Sequence, residues 1–92
     1  MYLEKIEEKM KRFLVCFKIL KKVASVDSIT AKSLLHLWPY DNSSLYRNLR
    51  HWEEEDIIKT IRPNSTESYN LYLKTPALNK KLQELNALIT NF

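Results

Sequence analysis

One stretch constrains the fold more than any other: residues 43–58, SSLYRNLRHWEEEDII. Leu45, Leu49 and Trp52 recur at spacings of four and three, so they share one stripe of a helix. The pattern then passes, with no glycine or proline between, into the β-prone run IIKTIR at residues 57–62. Ser43 is expected as the N-cap, its hydroxyl accepting from an amide of the first turn. The opposite face carries Ser44, Arg47, Arg50 and His51, with Tyr46 at its edge and no carboxylate before Glu53. Guanidinium forks on such a face suit guanine O6 and N7 in a DNA major groove. Taken alone, the same helix reads more readily as an amphipathic surface helix with a solvated basic face, since many surface helices look like this.

The flanking segments fill in the order of elements. Residues 2–24 contain no helix breaker and predict one long helix. Leu3, Ile6, Met10, Phe13, Phe17 and Leu20 follow heptad spacing along it. Leu14, Cys16, Ile19 and Val23 widen the stripe in its second half, which predicts burial there on more than one side. A second helix is expected over residues 30–38, with Thr30 as N-cap and Ile29 and Leu34 as a hydrophobic staple. Leu35, Leu37 and Trp38 are expected in the core. Pro39 ends this helix, because the residue before a proline resists helical backbone. The third helix follows over residues 43–55.

Two strands and a polar loop occupy residues 57–75. In the second strand Tyr69, Leu71 and Leu73 alternate with Asn70, Tyr72 and Lys74, as a half-buried strand should. A last helix over residues 77–91 opens after Pro76, with Leu78, Leu82, Leu85, Ile89 and Phe92 repeating at four and three. The expected class is mostly α with a small β-hairpin, in one domain spanning residues 1–92. A chain of 92 residues supports one modest core.

The order helix, helix, helix, strand, loop, strand, helix brings in a resemblance. Ser43, Leu45, Tyr46, Arg47, Leu49, Glu53 to Glu55, Ile57 and Ile58, followed by Tyr72-Leu73-Lys74-Thr75, resemble the winged helix-turn-helix transcription regulators. The family is meant broadly, with PadR-like and small archaeal or viral repressors included. The resemblance covers about residues 12 to 75. It implies a winged core, about which the long terminal helices read from the periodicity would pack, and DNA binding through Ser44, Tyr46, Arg47 and Arg50. Asp56 stands where the family often has glycine, at a position where left-handed backbone is expected; Asp tolerates that backbone better than most residues. Trp52 replaces a usual aliphatic and calls for a wider core beneath it.

Other expectations concern chemistry and partners. Ser43, His51 and Lys32 join the expected DNA-facing set. Arg62, with Asn64, Ser65 and Thr66, is expected to reach the sugar-phosphate backbone or a minor groove. From Ser43 to Thr75 the cations Arg47, Arg50, Lys59, Arg62 and Lys74 are matched in number by Glu53, Glu54, Glu55, Asp56 and Glu67. The case for DNA therefore rests on where the charges lie; the net +4 of the chain comes from elsewhere, including Lys18, Lys21, Lys22, Lys80 and Lys81.

His36 and His51 have no evident nucleophile beside them, and Cys16 reads as a small buried hydrophobe. Consecutive acids on a helix point to different sides, so residues 53–56 cannot converge on one ion. No enzyme activity, metal, cofactor or small-molecule effector is expected. With no membrane span, no signal-like N-terminus and a single cysteine, the expected compartment is the cytoplasm.

The apolar stripes of the terminal helices, Leu3, Ile6 and Met10 at one end and Leu82, Leu85, Ile89 and Phe92 at the other, are expected to pair two copies into a homodimer. The functional expectation is a sequence-specific regulator that binds double-stranded DNA. A protein–protein module anchored on Tyr46, Tyr69 and Tyr72 and a nonspecific architectural DNA binder are the alternatives.

Overall fold

A computed structural model describes residues 2–62 and 70–91. The elements are α1 (Tyr2–Ser25), β1 (Ile29–Thr30), α2 (Ala31–Leu35), α3 (Asn42–Glu54), β2 (Ile58–Ile61), β3 (Leu71–Lys74) and α4 (Pro76–Thr90). The chain is mostly helical, with a small antiparallel sheet of order β1-β3-β2.

The first helix closes where Ser25 turns its hydroxyl back onto the Lys22 carbonyl at 2.8 Å. Its buried residues are Ile19, Leu20 and Val23, all in the second half. Sequence reading missed β1. Ile29 and Thr30 pair with Tyr72 and Leu71, and two residues are too few to show any alternation. Thr30 is also the cap of α2, its Oγ1 accepting from the Ser33 amide at 3.2 Å.

The second helix is shorter than expected, a single turn followed by tight bonds from Leu37 to Leu34 and from Trp38 to Leu35. Pro39 forces residue 38 out of helical backbone, so the last turn tightens rather than extends. Trp38 is buried and Leu35 half-buried, but Leu37 lies on the surface, against expectation.

Asp41, not Ser43, caps α3. Its Oδ2 accepts from the Ser44 amide at 3.2 Å and from the Ser43 hydroxyl. The helix thus starts at Asn42, and a negative cap at that end is favoured by the helix dipole. The other end carries a paired stop. The Asp56 amide donates to the Glu53 carbonyl at 3.0 Å and the Ile57 amide to the Trp52 carbonyl at 2.9 Å. This Schellman closure requires left-handed backbone at the residue between, and Asp56 has φ 63°. Thr75 then fastens the corner, its hydroxyl shared between the carbonyls of Asp56 at 2.7 Å and Ile57 at 2.8 Å.

Strands β2 and β3 pair from Ile58 with Lys74 to Ile61 with Leu71. The inward residue of β3 is Tyr72, 5% exposed, opposite Thr60 on one side and Ile29 on the other. Leu71 and Leu73 are only half-buried, so the expected inner face is the outer one. Tyr72 alone of its set enters the core, while Lys74 on the same face stays exposed.

One core joins Ile19, Leu20, Val23, Ile29, Ala31, Leu34, Trp38, Leu45, Leu49, Trp52, Ile57, Ile58, Tyr72 and Leu78. The last helix packs along α1 through Leu78, with Leu82 and Leu85 half-buried against the same cluster. No helix among the described residues is long and apolar enough to cross a membrane.

Candidate nucleic-acid interface

The stripe Leu45, Leu49 and Trp52 of α3 faces the core, which turns Ser43, Arg47 and Arg50 to solvent. Neither arginine makes an ion pair or hydrogen bond among the described residues. Tyr46, 48% exposed, stands beside them on the helix. Lys32 is exposed on α2.

Ser44 does not belong to this face. It is 7% exposed, and its Oγ accepts from Trp38 Nε1 at 3.0 Å while donating to the Asp41 carbonyl at 2.7 Å. Trp38 Nε1 also reaches that carbonyl, at 3.0 Å. The indole arrives from the preceding turn and closes over the first turn of α3. That tertiary contact is what removes Ser44 from the surface, and no local spacing announces it.

His51 is exposed, with Nε2 2.7 Å from Glu55 Oε1. Arg62 is folded back onto α3: its Nη2 donates to both oxygens of Glu53, at 3.1 and 3.3 Å. A pair this exposed is worth about 0–1 kcal/mol and exchanges readily for another anion. Glu53 is held below the ordinary carboxylate range, first by the Thr60 hydroxyl beside it and then by Arg62. Thr60 Oγ1 is buried and closes no full hydrogen bond among the described residues, so its influence there is that of a nearby dipole. Asn64, Ser65 and Thr66 lie outside the described residues.

The carboxylates of residues 53–56 diverge: Glu53 turns to Arg62, Glu55 to His51, and Asp56 sits in the corner. Among the described residues no three His, Cys, Asp or Glu gather as a metal site would need. Cys16 is half-buried, with Asn48 Nδ2 4.0 Å from its sulfur. Burial pushes its thiol up, against the charge of Arg12.

The terminal stripes divide. Leu3 is 76% exposed and Met10 62%, with Ile6 also on the surface. On α4, Leu82 and Leu85 are partly covered by their own chain, whereas Leu88 and Ile89 are exposed. Phe92 lies outside the described residues. A scan against protein-family models found no match, and a search of curated proteins found none either.

Proposed function

We propose that this chain is a winged helix-turn-helix regulator that reads double-stranded DNA, without enzymatic activity and without a cofactor. In this reading α3 enters the major groove and the β2–β3 hairpin is the wing. The observation that carries it is the outward face of α3, where Arg47 and Arg50 stand exposed and make no ion pair or hydrogen bond among the described residues, Arg50 acting on Glu53 only through its charge. Buried stripe, settled caps and a hairpin joined at a fixed corner hold that face rigidly, as base reading requires. Ser44 leaves the reading set; Ser43, Tyr46, Arg47 and Arg50 remain, with Lys32 and the released Arg62 as backbone contacts.

Selection of bound sequences from random duplexes tests the reading. Arg47→Ala or Arg50→Ala is expected to weaken binding to the selected site by about 1–3 kcal/mol and to relax preference at one position. Unchanged affinity of both variants would remove α3 as the reader. The alternative of a protein–protein module loses one of its three anchors, since Tyr72 is buried.

The exposed stripes of α1 and α4 support a homodimer, because apolar surface of this kind is seldom left uncovered in monomers. Leu3, Ile6, Met10 and Ile89 form its expected seam, with Leu82 and Leu85 beneath. A two-fold axis would set half-sites about 10 base pairs apart, or a multiple, on an inverted repeat. Sedimentation of the parent above its 11.0 kDa monomer mass, and of Met10→Glu or Ile89→Glu at that mass, is the expected result. A parent that sediments as a monomer removes the dimer.

A further inference from the structure

One line of residues on α1 changes character halfway along the helix. Lys5, Lys9, Arg12, Cys16, Ile19 and Val23 follow at spacings of four and three, so they share a face. From Cys16 onward that face turns into the core, and Ile19 and Val23 are fully buried. Before Cys16 the same face is exposed and cationic.

It is not a flat solvated face. Lys5, Lys9, Lys11 and Arg12 line a groove with Glu8 and Tyr40. Tyr40 belongs to the turn just before α3. The Arg12 guanidinium carbon lies 4.4 Å from the centre of the Tyr40 ring. That ring stands edge-on to Trp38, with centroids 5.1 Å apart, and Trp38 is bonded into the first turn of α3. Arg12 is thereby tied to the start of α3 through two aromatic rings. Lys11 stands 3.9 Å from Glu7, whereas Lys5 and Lys9 make no ion pair among the described residues.

We propose that this groove seats the sugar-phosphate backbone of the duplex that α3 reads, beside the end where α3 begins. The proposal rests on the DNA reading of α3 and extends it to a part of α1 that the reading does not use. The charge and the length fit such an occupant. From Lys5 to Arg12 the helix rises about 10 Å, over which one DNA strand advances roughly three phosphates. The apolar line Leu3, Ile6, Met10 and Phe13 lies roughly a third of a turn away, so the groove stays open in a dimer sealed along that line. Contacts of this kind position a protein without reading sequence.

The double variant Lys5→Gln/Lys9→Gln tests the seat. The probe is a mixed-sequence double-stranded DNA fragment titrated over a range of salt, because any duplex offers the same phosphates. The slope of log affinity against log salt is expected to fall by about two, roughly 0.9 for each phosphate that a lysine no longer neutralises. Affinity for selected and mixed duplexes should fall by the same factor. The melting temperature should not move, since both lysines are exposed. An unchanged slope, in a protein whose parent binds the duplex, overturns the seat and leaves the reading by α3 intact. A parent that binds no duplex at any salt overturns the reading itself, and the seat with it. A parent that binds polyglutamate as tightly as the duplex, through the same two lysines, overturns the DNA seat in favour of an acidic protein.

Discussion

The helices α1 and α3 are both amphipathic, yet they end in different places. Every member of the α3 stripe is buried, and both ends are closed by named contacts. The stripe of α1 is buried only where it passes the core, and its first half carries Leu3, Ile6 and Met10 in solvent. A second line of α1, through Cys16, Ile19 and Val23, meets the core beside Leu20 of that stripe. Apolar spacing therefore reports that a helix has a face suited to burial. It does not report how much of that face the rest of the same chain covers.

The largest test of this contrast is truncation on each helix. Leu45→Ala or Leu49→Ala should lower stability by about 2–5 kcal/mol, as fully buried leucines do. Leu3→Ala or Met10→Ala should change it by less than about 0.5 kcal/mol when measured dilute enough to hold monomers. Chemical denaturation reads both, and equal losses would erase the distinction.

A smaller effect is expected at the start of α3. Ser44→Ala removes the hydroxyl between Trp38 and Asp41 and should lower stability by about 1 kcal/mol. Base preference should not change, because Ser44 does not reach the surface. A variant with shifted preference would return Ser44 to the reading face.

The far end of α3 offers a finer measure. Asp56→Ala should lower stability by roughly 0.5–1 kcal/mol through left-handed backbone, while Asp56→Gly should stay within about 0.5 kcal/mol of the parent. Equal stability of the Ala variant and the parent would show that the corner is not held by that conformation.

Acid provides the mildest probe. Asp41 is held below the usual carboxylate range chiefly by the Ser43 hydroxyl, and Glu53 by Thr60 and then Arg62. A carboxyl lowered in the folded state adds stability that is fully present above its ordinary value. That stability fades as pH falls through the lowered one. Stability should thus decline as pH falls below about 4.5, the ordinary value for Glu53, and Glu53→Gln should flatten part of that decline. Thermal melts at a series of pH values would show it, and an identical decline in the variant would take Glu53 out of the account.

Much of the helical framework was legible in the sequence, because α1, α3 and α4 each carry an unbroken period over several turns. Asp56 was legible through the family resemblance, and its backbone is left-handed. The misses share a cause: each depends on contacts between segments or on a choice among equivalent neighbours. Residues 41–44, Asp-Asn-Ser-Ser, offer several caps in a row, and the chain uses the first. The strand β1 exists only because β3 lies beside it. The inner face of β3 was ambiguous because Tyr72 stands between two leucines. Ser44 was misplaced because Trp38 folds over it from the preceding turn. The groove was hidden for a similar reason: its cations are plain in the sequence, but Tyr40 comes from a segment distant in the chain.

The left-handed turn at Asp56 has a consequence beyond the corner it makes. This chain contains no glycine at all. Each glycine that a turn does without narrows the wandering of the unfolded chain, an effect of about 0.4–1 kcal/mol per site where the folded backbone accepts the replacement. Among the described residues only Asp56 stands where the folded backbone resists a side chain. At the other described turns the restriction falls on the unfolded ensemble alone. The fold gains part of its persistence from what its denatured form is denied, and one aspartate carries the native share of the strain.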